Sequence, residues 1–326
     1  MRSIITGGAG FIGSHLAEAL VNNGHKVIIL DNFATGSKKN LKKIINKIQI
    51  IKKDIRNFNS IKKLFYKVDN VFHLAALADI VPSIENPEDY FTTNVTGTFN
   101  VLKASVENKV KRFIYSASSS CYGIPKKYPT PEIEEISTKY PYALTKRLGE
   151  ELVIHFANVY KLDATSLRFF NVYGTRARTT GTYGAVFGVF MAQKIAKKPF
   201  TIVGNGKQKR DFTYVSDVVR AITATSKKKN LKYRVYNVGS GTTVSINKIV
   251  NLLGGKKVYI PKRPGEPDIT FADIKRIKKE IKWVPKISIK QGIESLKNSI
   301  SDWKLAPVWT PEKIKKKTKK WFYYLK

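Results

Sequence analysis

Short β-branched runs alternate with longer segments of mixed polarity through the first half of the chain. That rhythm predicts a parallel sheet covered by helices on both faces. SIIT (3–6), KVIILD (26–31), IQIIKKD (48–54), NVFHLAA (70–76), RFIYSAS (112–118) and DATSLRFF (163–170) read as strands. Helices are expected between them over 11–23, 38–46, 60–66, 87–107 and 142–160. Two of these are long, and the stretches 95–106 and 148–159 carry apolar residues at helical spacing, which leaves each a face for a subunit interface.

After Asn171 the rhythm breaks into a glycine-, threonine- and tyrosine-rich stretch, 174–188, that resembles a substrate loop more than another strand–helix unit. A second lobe is expected from there. The strand-like RDFTYV (210–215) and YRVYNVGSG (233–241) are expected to return to the first lobe. The fold class is therefore α/β. A doubly wound parallel sheet occupies 1–170 with segments near 210–241, and a smaller discontinuous domain takes most of 171–326. At the end of the chain, Thr310 is a helix cap, Pro311 suits the first helical position, and a lysine run closes on WFYYL. A peripheral helix docked by its aromatics is expected there.

With 326 residues and 42% hydrophobic content the chain can bury a sizeable core. No apolar run approaches the roughly 20 residues that span a bilayer. The first expected strand starts at Ser3 and leaves no room for a signal peptide, so a cytoplasmic location and no membrane partner are expected. A single cysteine, Cys121, excludes an internal disulfide, and four scattered histidines give no metal site. The net charge of +35 raises nucleic acid as a partner. However, lysine supplies 47 of the 59 basic residues and arginine 12, spread along the whole chain, whereas phosphate and base recognition favour clustered arginine. A basic field that attracts a small anionic substrate fits better than a nucleic-acid surface.

TGGAGFIG at 6–13 follows the first expected strand and opens the first expected helix. In that context Gly7, Gly10 and Gly13, with Gly8 completing a G-x-G-x-x-G spacing, form a dinucleotide-binding turn. The helix N-terminus at Phe11 and Ile12 then faces the pyrophosphate. Asp31 ends the second expected strand 18 residues beyond Gly13, where a carboxylate hydrogen-bonds an adenosine ribose and repels a 2′-phosphate. NAD is thus favoured over NADP. Further along, Tyr142 is followed four residues later by Lys146 in PYALTK, with the serine cluster SASSS a helix-length upstream.

TGGAGFIG, Asp31, HLAA (73–76), SASSSCYG (116–123), Tyr142-x-x-x-Lys146 and RDFTYV occur in that order. With them the chain resembles the extended short-chain dehydrogenase/reductase family, and within it the NAD-dependent nucleotide-sugar epimerases of the UDP-glucose 4-epimerase type. The resemblance implies a Rossmann domain, a nucleotide-sugar-binding domain and a homodimer built on a four-helix bundle. It makes Tyr142 the base at the sugar O4, with Ser118 hydrogen-bonded to the same oxygen. Lys146 favours the phenolate and holds the nicotinamide ribose, so that NAD is tightly bound and recycled. Asp54, Ala75 and Asn94 match cofactor-contacting positions, and Asn32, Ile55, Leu74 and Ala76 lie beside them. Asn171 in RFFNVYG, Arg210 in RDFTYV, and Arg263 and Glu266 in KRPGEPD fall where the family contacts the uridine diphosphate.

The chain departs from its relatives at two places. Sugar-nucleotide dehydratases and decarboxylases carry an acid directly after the position of Ser118, where this chain has Ser119 and Ser120. Thr270 in DITFAD falls at the sugar-ring gatekeeper, where hexose-restricted epimerases carry tyrosine; a threonine leaves room for an N-acetylhexosamine or a uronic acid. The competing readings are a dehydratase, decarboxylase or reductase on the same scaffold, and a non-catalytic dinucleotide- or RNA-binding protein. His73, His155, Cys121, Tyr122 and Tyr140 read as structural rather than catalytic.

Overall fold

The computed structural model describes residues 1–178 and 186–325. Seven strands form the main sheet: β1 (Arg2–Thr6), β2 (Lys26–Asp31), β3 (Ile48–Lys52), β4 (Asn70–His73), β5 (Arg112–Ser118), β6 (Ala164–Phe169) and β7 (Val235–Val238). Their order is β7-β6-β5-β4-β1-β2-β3, with every pairing parallel. The direction of winding reverses between β1 and β4, which opens a crevice beyond the carboxyl ends of those strands. Helices cover both faces: α1 (Phe11–Asn22), α2 (Gly97–Glu107), α3 (Pro141–Val159) and α4 (Val215–Lys227). Ile5, Ile29, Leu16 and Ile222 pack on one side of the sheet, and Ile4, Phe113, Val101 and Val153 on the other.

Several expected elements are shorter or more broken than the hydrophobic pattern suggested. β3 stops at Lys52 because the Asp54 carboxylate turns the chain by accepting from the Arg56 N–H at 2.9 Å. β4 stops at His73, after which Leu74 and Ala75 donate to the Thr6 backbone oxygen and hydroxyl and leave the sheet edge. The helix expected over 38–46 is a 3₁₀ helix, Lys38–Lys47, and that over 60–66 is a turn of α-helix, Phe58–Ile61, capped by Asn57 and followed by a 3₁₀ turn. The long helix expected over 87–107 is interrupted by a π turn at Thr92–Thr96. Within that turn the Asn94 amide accepts from the Leu77 N–H at 2.8 Å and donates to the Leu77 carbonyl at 3.0 Å, tying the helix to the loop after β4. A short helix at Ile80–Glu85, not expected from the pattern, follows that loop.

The two returning segments behave differently. YRVYNVGSG supplies β7 at the sheet edge. RDFTYV does not enter the main sheet. Lys209–Arg210 pairs antiparallel with Val244–Ser245, and Thr213–Tyr214 pairs with Val172–Tyr173, before α4 packs back against α1. The later part of the chain has a core of its own, with Phe190, Phe200, Ile249, Leu296 and Trp303 at its centre. Part of the expected substrate loop, 179–185, lies outside the described residues, and its end begins the helix Val186–Ile195. Among the described residues, no helix is long and apolar enough to cross a membrane.

Candidate active site

A cavity of about 900 Å³ runs from the crevice at the switch point to the loop at 262–268. At its inner end the glycine turn is packed so closely that side chains are excluded. Gly7 sits at φ +69°, and a Cβ there would meet the Ala75 nitrogen at 2.7 Å; a Cβ on Gly13 would meet the Gly7 carbonyl oxygen at 2.2 Å. Gly10 is the N-cap of α1 and offers no side-chain partner, so the first N–H with a helical acceptor is that of Ser14, to Gly10 at 3.0 Å. The preceding N–H groups, on Phe11, Ile12 and Gly13, border the cavity, where a helix N-terminus stabilises an anion. Asp31 lines the same end. Its carboxylate accepts from the Ala9 and Phe33 N–H groups at 2.9 and 2.8 Å, which fixes the turn against β2. Burial raises its pKa against the effect of those two bonds. Asn32, Ile55, Leu74, Ala75 and Ala76 also border the cavity. These residues fit a dinucleotide: bare N–H groups for the pyrophosphate and a carboxylate for a ribose diol.

Two residues expected to contact the cofactor also bond protein groups around the cavity. Asp54 is engaged by the Arg56 guanidinium at 2.8 Å and the Asn32 amide at 2.9 Å, and the Arg56 bond holds its carboxyl down to about 2. Asn94 is buried, and its amide is used on Leu77 and on the Thr145 hydroxyl at 3.1 Å. Neither borders the cavity; they shape the loops that do.

Midway along the cavity, Ser118, Tyr142 and Lys146 all line its wall. Ser118 ends β5, where its hydroxyl accepts from the Ser120 N–H at 3.2 Å and the Ser120 hydroxyl at 2.8 Å. Tyr142 occupies the first turn of α3. Burial pushes its phenol pKa up, a hydrogen bond with Ser118 opposes the rise, and the Asp79 carboxylate adds to it. Lys146, one turn further on, is buried, with its ammonium 4.3 Å from the centroid of the Tyr115 ring. Burial depresses Lys146 to about 7, opposed by Glu150. Asp79, on the opposite wall, pairs with Arg178 at 2.8 Å.

At the outer end Glu266 lies between two arginines, 2.9 Å from Arg263 and 3.8 Å from Arg210. The Thr270 hydroxyl donates to the Asn171 side-chain oxygen at 2.8 Å. All five border the cavity. So does Trp321, in the C-terminal helix expected to dock by its aromatics; it is buried and faces Tyr140 with ring centroids 6.3 Å apart. The aromatic run WFYYL was the available signal. Of the residues set aside as structural, His73 is held between Thr6 and Thr98 hydroxyls at 2.6 and 2.9 Å, and burial pushes the Cys121 thiol to about 12. His155 is exposed on α3.

A doubly wound parallel sheet, a glycine turn under a helix N-terminus and a serine–tyrosine–lysine set at the end of β5 together define an extended short-chain dehydrogenase/reductase. More narrowly, the chain belongs to the NAD dependent epimerase/dehydratase family, whose sequence model matches residues 3–239. A UDP-glucuronate 4-epimerase from Thermodesulfobacterium geofontis is 35% identical over 312 residues, covering 90% of this chain and 94% of that protein. UDP-glucuronic acid decarboxylase 1 from Arabidopsis thaliana is 32% identical over 304 residues, covering 90% of this chain and 68% of that one. The crystal structure of a UDP-glucose 4-epimerase from Thermotoga maritima with UDP-glucose superposes with a TM-score of 0.86 at 33% identity, covering 92% of this chain and all of the other. The chain is thus an enzyme of an NAD-dependent family whose members include nucleotide-sugar epimerases and decarboxylases.

Proposed function

We propose that this enzyme epimerises C4 of a UDP sugar through a transient 4-keto sugar, with Tyr142 as base and a tightly held NAD. Residues 1–170 with the returning α4 and β7 would hold the dinucleotide, and most of the remainder of 171–326, with Arg210, the sugar nucleotide. The observation that carries the reading is that Ser118, Tyr142 and Lys146 line one cavity, with Ser119 and Ser120 following Ser118 where the resemblance places an acid in eliminating or decarboxylating enzymes. Bound NAD supplies the acceptor and then the donor of the C4 hydride. Tyr142 removes the O4 proton as C4 is oxidised, and Lys146 and Ser118 stabilise the phenolate that does so. Ser118 receives two hydrogen bonds from Ser120, so its own proton is available to Tyr142 or to the sugar O4. The keto sugar then presents its other face, and Tyr142 returns the proton to O4. Arg210 and Arg263 hold the diphosphate during that turn while Thr270 leaves space for the ring.

Incubation of the purified protein, without added NAD, with UDP-glucose, UDP-N-acetylglucosamine and UDP-glucuronate tests this directly. A C4 epimer of one of them, seen by proton NMR, is expected. Loss of carbon dioxide or water from the sugar would instead place the chain with the decarboxylases or dehydratases. Tyr142→Phe is expected to abolish turnover while NAD stays bound, and unchanged activity refutes the mechanism. We infer also that the enzyme is a homodimer. Phe99 on α2 and Leu144 and Val159 on α3 are exposed apolar residues on the two helices that would form a four-helix bundle with a second copy.

A further inference from the structure

The C-terminal segment lies beyond residues 3–239, the part matched by the family, yet it closes one wall of the cavity. Thr310 caps a helix at Pro311–Lys317, and a second helix, Lys319–Tyr324, follows directly. Ile314 anchors the first helix in the core of the later lobe. Lys317 reaches across to Glu85, in the short helix after β4, at 2.7 Å. The segment therefore crosses from one lobe to the other over the mouth of the cavity.

Trp321 is the residue this crossing delivers. It is 2% exposed, and its indole N–H donates to the Pro264 carbonyl at 2.9 Å, which fixes the ring to the loop that carries Arg263 and Glu266. The Arg263 guanidinium carbon lies 5.4 Å from the centroid of the Trp321 ring. On the other side Trp321 meets Tyr140, whose ring in turn stacks on that of Tyr142 with centroids 6.4 Å apart. One indole thus lies against both the arginine at the outer end and Tyr140, the ring stacked on Tyr142. An arginine side chain has several rotatable bonds, so an aromatic face that fixes the guanidinium lowers the entropy lost when it grips an anion.

We propose that Trp321 is a positioning residue: it holds Arg263 in the orientation that binds the diphosphate of a nucleoside-diphosphate sugar. The proposal rests on the nucleotide-sugar reading of the cavity given above. Glu266 pairs with the guanidinium at 2.9 Å and the Trp321 ring lies beneath its carbon, so the group is held by two different neighbours.

Calorimetric titration of the NAD-containing protein with UDP alone tests this without requiring turnover. Trp321→Leu fills the core position but removes the aromatic face, and is expected to weaken UDP binding by roughly five- to thirtyfold. Trp321→Phe keeps a face and is expected to weaken it only about twofold; it also supplies the measurement should the leucine variant be unstable. NAD content is expected to stay unchanged in both. In an Arg263→Ala background, titrated with millimolar UDP, the Trp321 substitutions are expected to have no further effect. A purely structural role would add its loss there too. Wild-type affinity in Trp321→Leu overturns the proposal, as does a full additional loss in the Arg263→Ala background. If the wild-type protein itself fails to bind UDP, the uridine-diphosphate reading falls and takes this inference with it; the first two outcomes leave that reading intact.

Discussion

Replacing Glu150 tests how one buried carboxylate on α3 supports both the fold and the charge of Lys146. Glu150 is 1% exposed on α3, one turn beyond Lys146. Its carboxylate accepts from the Arg168 guanidinium on β6 at 2.7 Å, from the Ser166 hydroxyl at 2.7 Å and from Arg147 at 2.5 Å. Those bonds hold its pKa below the ordinary 4.5 although burial pushes it up. Arg168 is as deeply buried, and its remaining donors go to the Tyr122 hydroxyl and the Glu132 carbonyl. Glu150→Gln keeps the volume and leaves Arg168 buried without its counter-charge, which costs about 3–5 kcal/mol. That is a large share of the roughly 5–15 kcal/mol by which a domain is stable. Urea denaturation at neutral pH is expected to show a lower midpoint with an unchanged slope. Because the folded pKa is depressed, the contribution is present above pH 4.5 and fades as the pH falls through the folded value, so the difference between the two proteins shrinks in acid. Glu150 also opposes the fall in the Lys146 pKa, so the variant is expected to leave Lys146 less protonated near pH 7 and to turn over more slowly. A loss below about 1 kcal/mol, the size of an exposed ion pair, would refute the reasoning. Replacing Glu150 and Arg168 together by methionine is expected to recover most of the stability.

Gly13→Ala is expected to yield protein purified without NAD, since its Cβ would lie 2.2 Å from the Gly7 carbonyl oxygen; nucleotide release on denaturation measures this, and full NAD content would contradict the packing. Burial raises the Tyr142 phenol, Ser118 opposes the rise and Asp79 adds to it; with the phenolate as the active form, the acid limb of kcat is expected to move to higher pH in Ser118→Ala and to lower pH in Asp79→Asn. Shifts of the same sign in both variants would defeat that assignment. Leu144→Glu places a charge on the exposed apolar face of α3 and is expected to convert a dimer to a monomer by light scattering, and a mass equal to that of the parent argues against the helical interface.

The parts of the site that were legible in the sequence are those made by neighbours along the chain. The glycine turn lies between one strand and the helix that follows it, and the tyrosine–lysine pair lies one turn apart on one helix, so spacing along the chain fixes each. Strand interiors were legible for a related reason: β-branched runs buried on both faces carry their own signature. Contacts across the chain left no such trace. Asp54 and Asn94 occupy positions that suggested cofactor contact, and their side chains also bond Arg56 and Leu77, a pairing that only the folded loops reveal. Trp321 is the sharper case. Its partners, Tyr140 and Arg263, are remote in sequence, and a lysine-rich helix ending in aromatics looks the same whether it lies on the surface or seals a cavity. What distinguishes the two is burial of one indole and the direction of its N–H, so the nucleotide end of the site, built from such distant pieces, is where sequence reasoning stopped short.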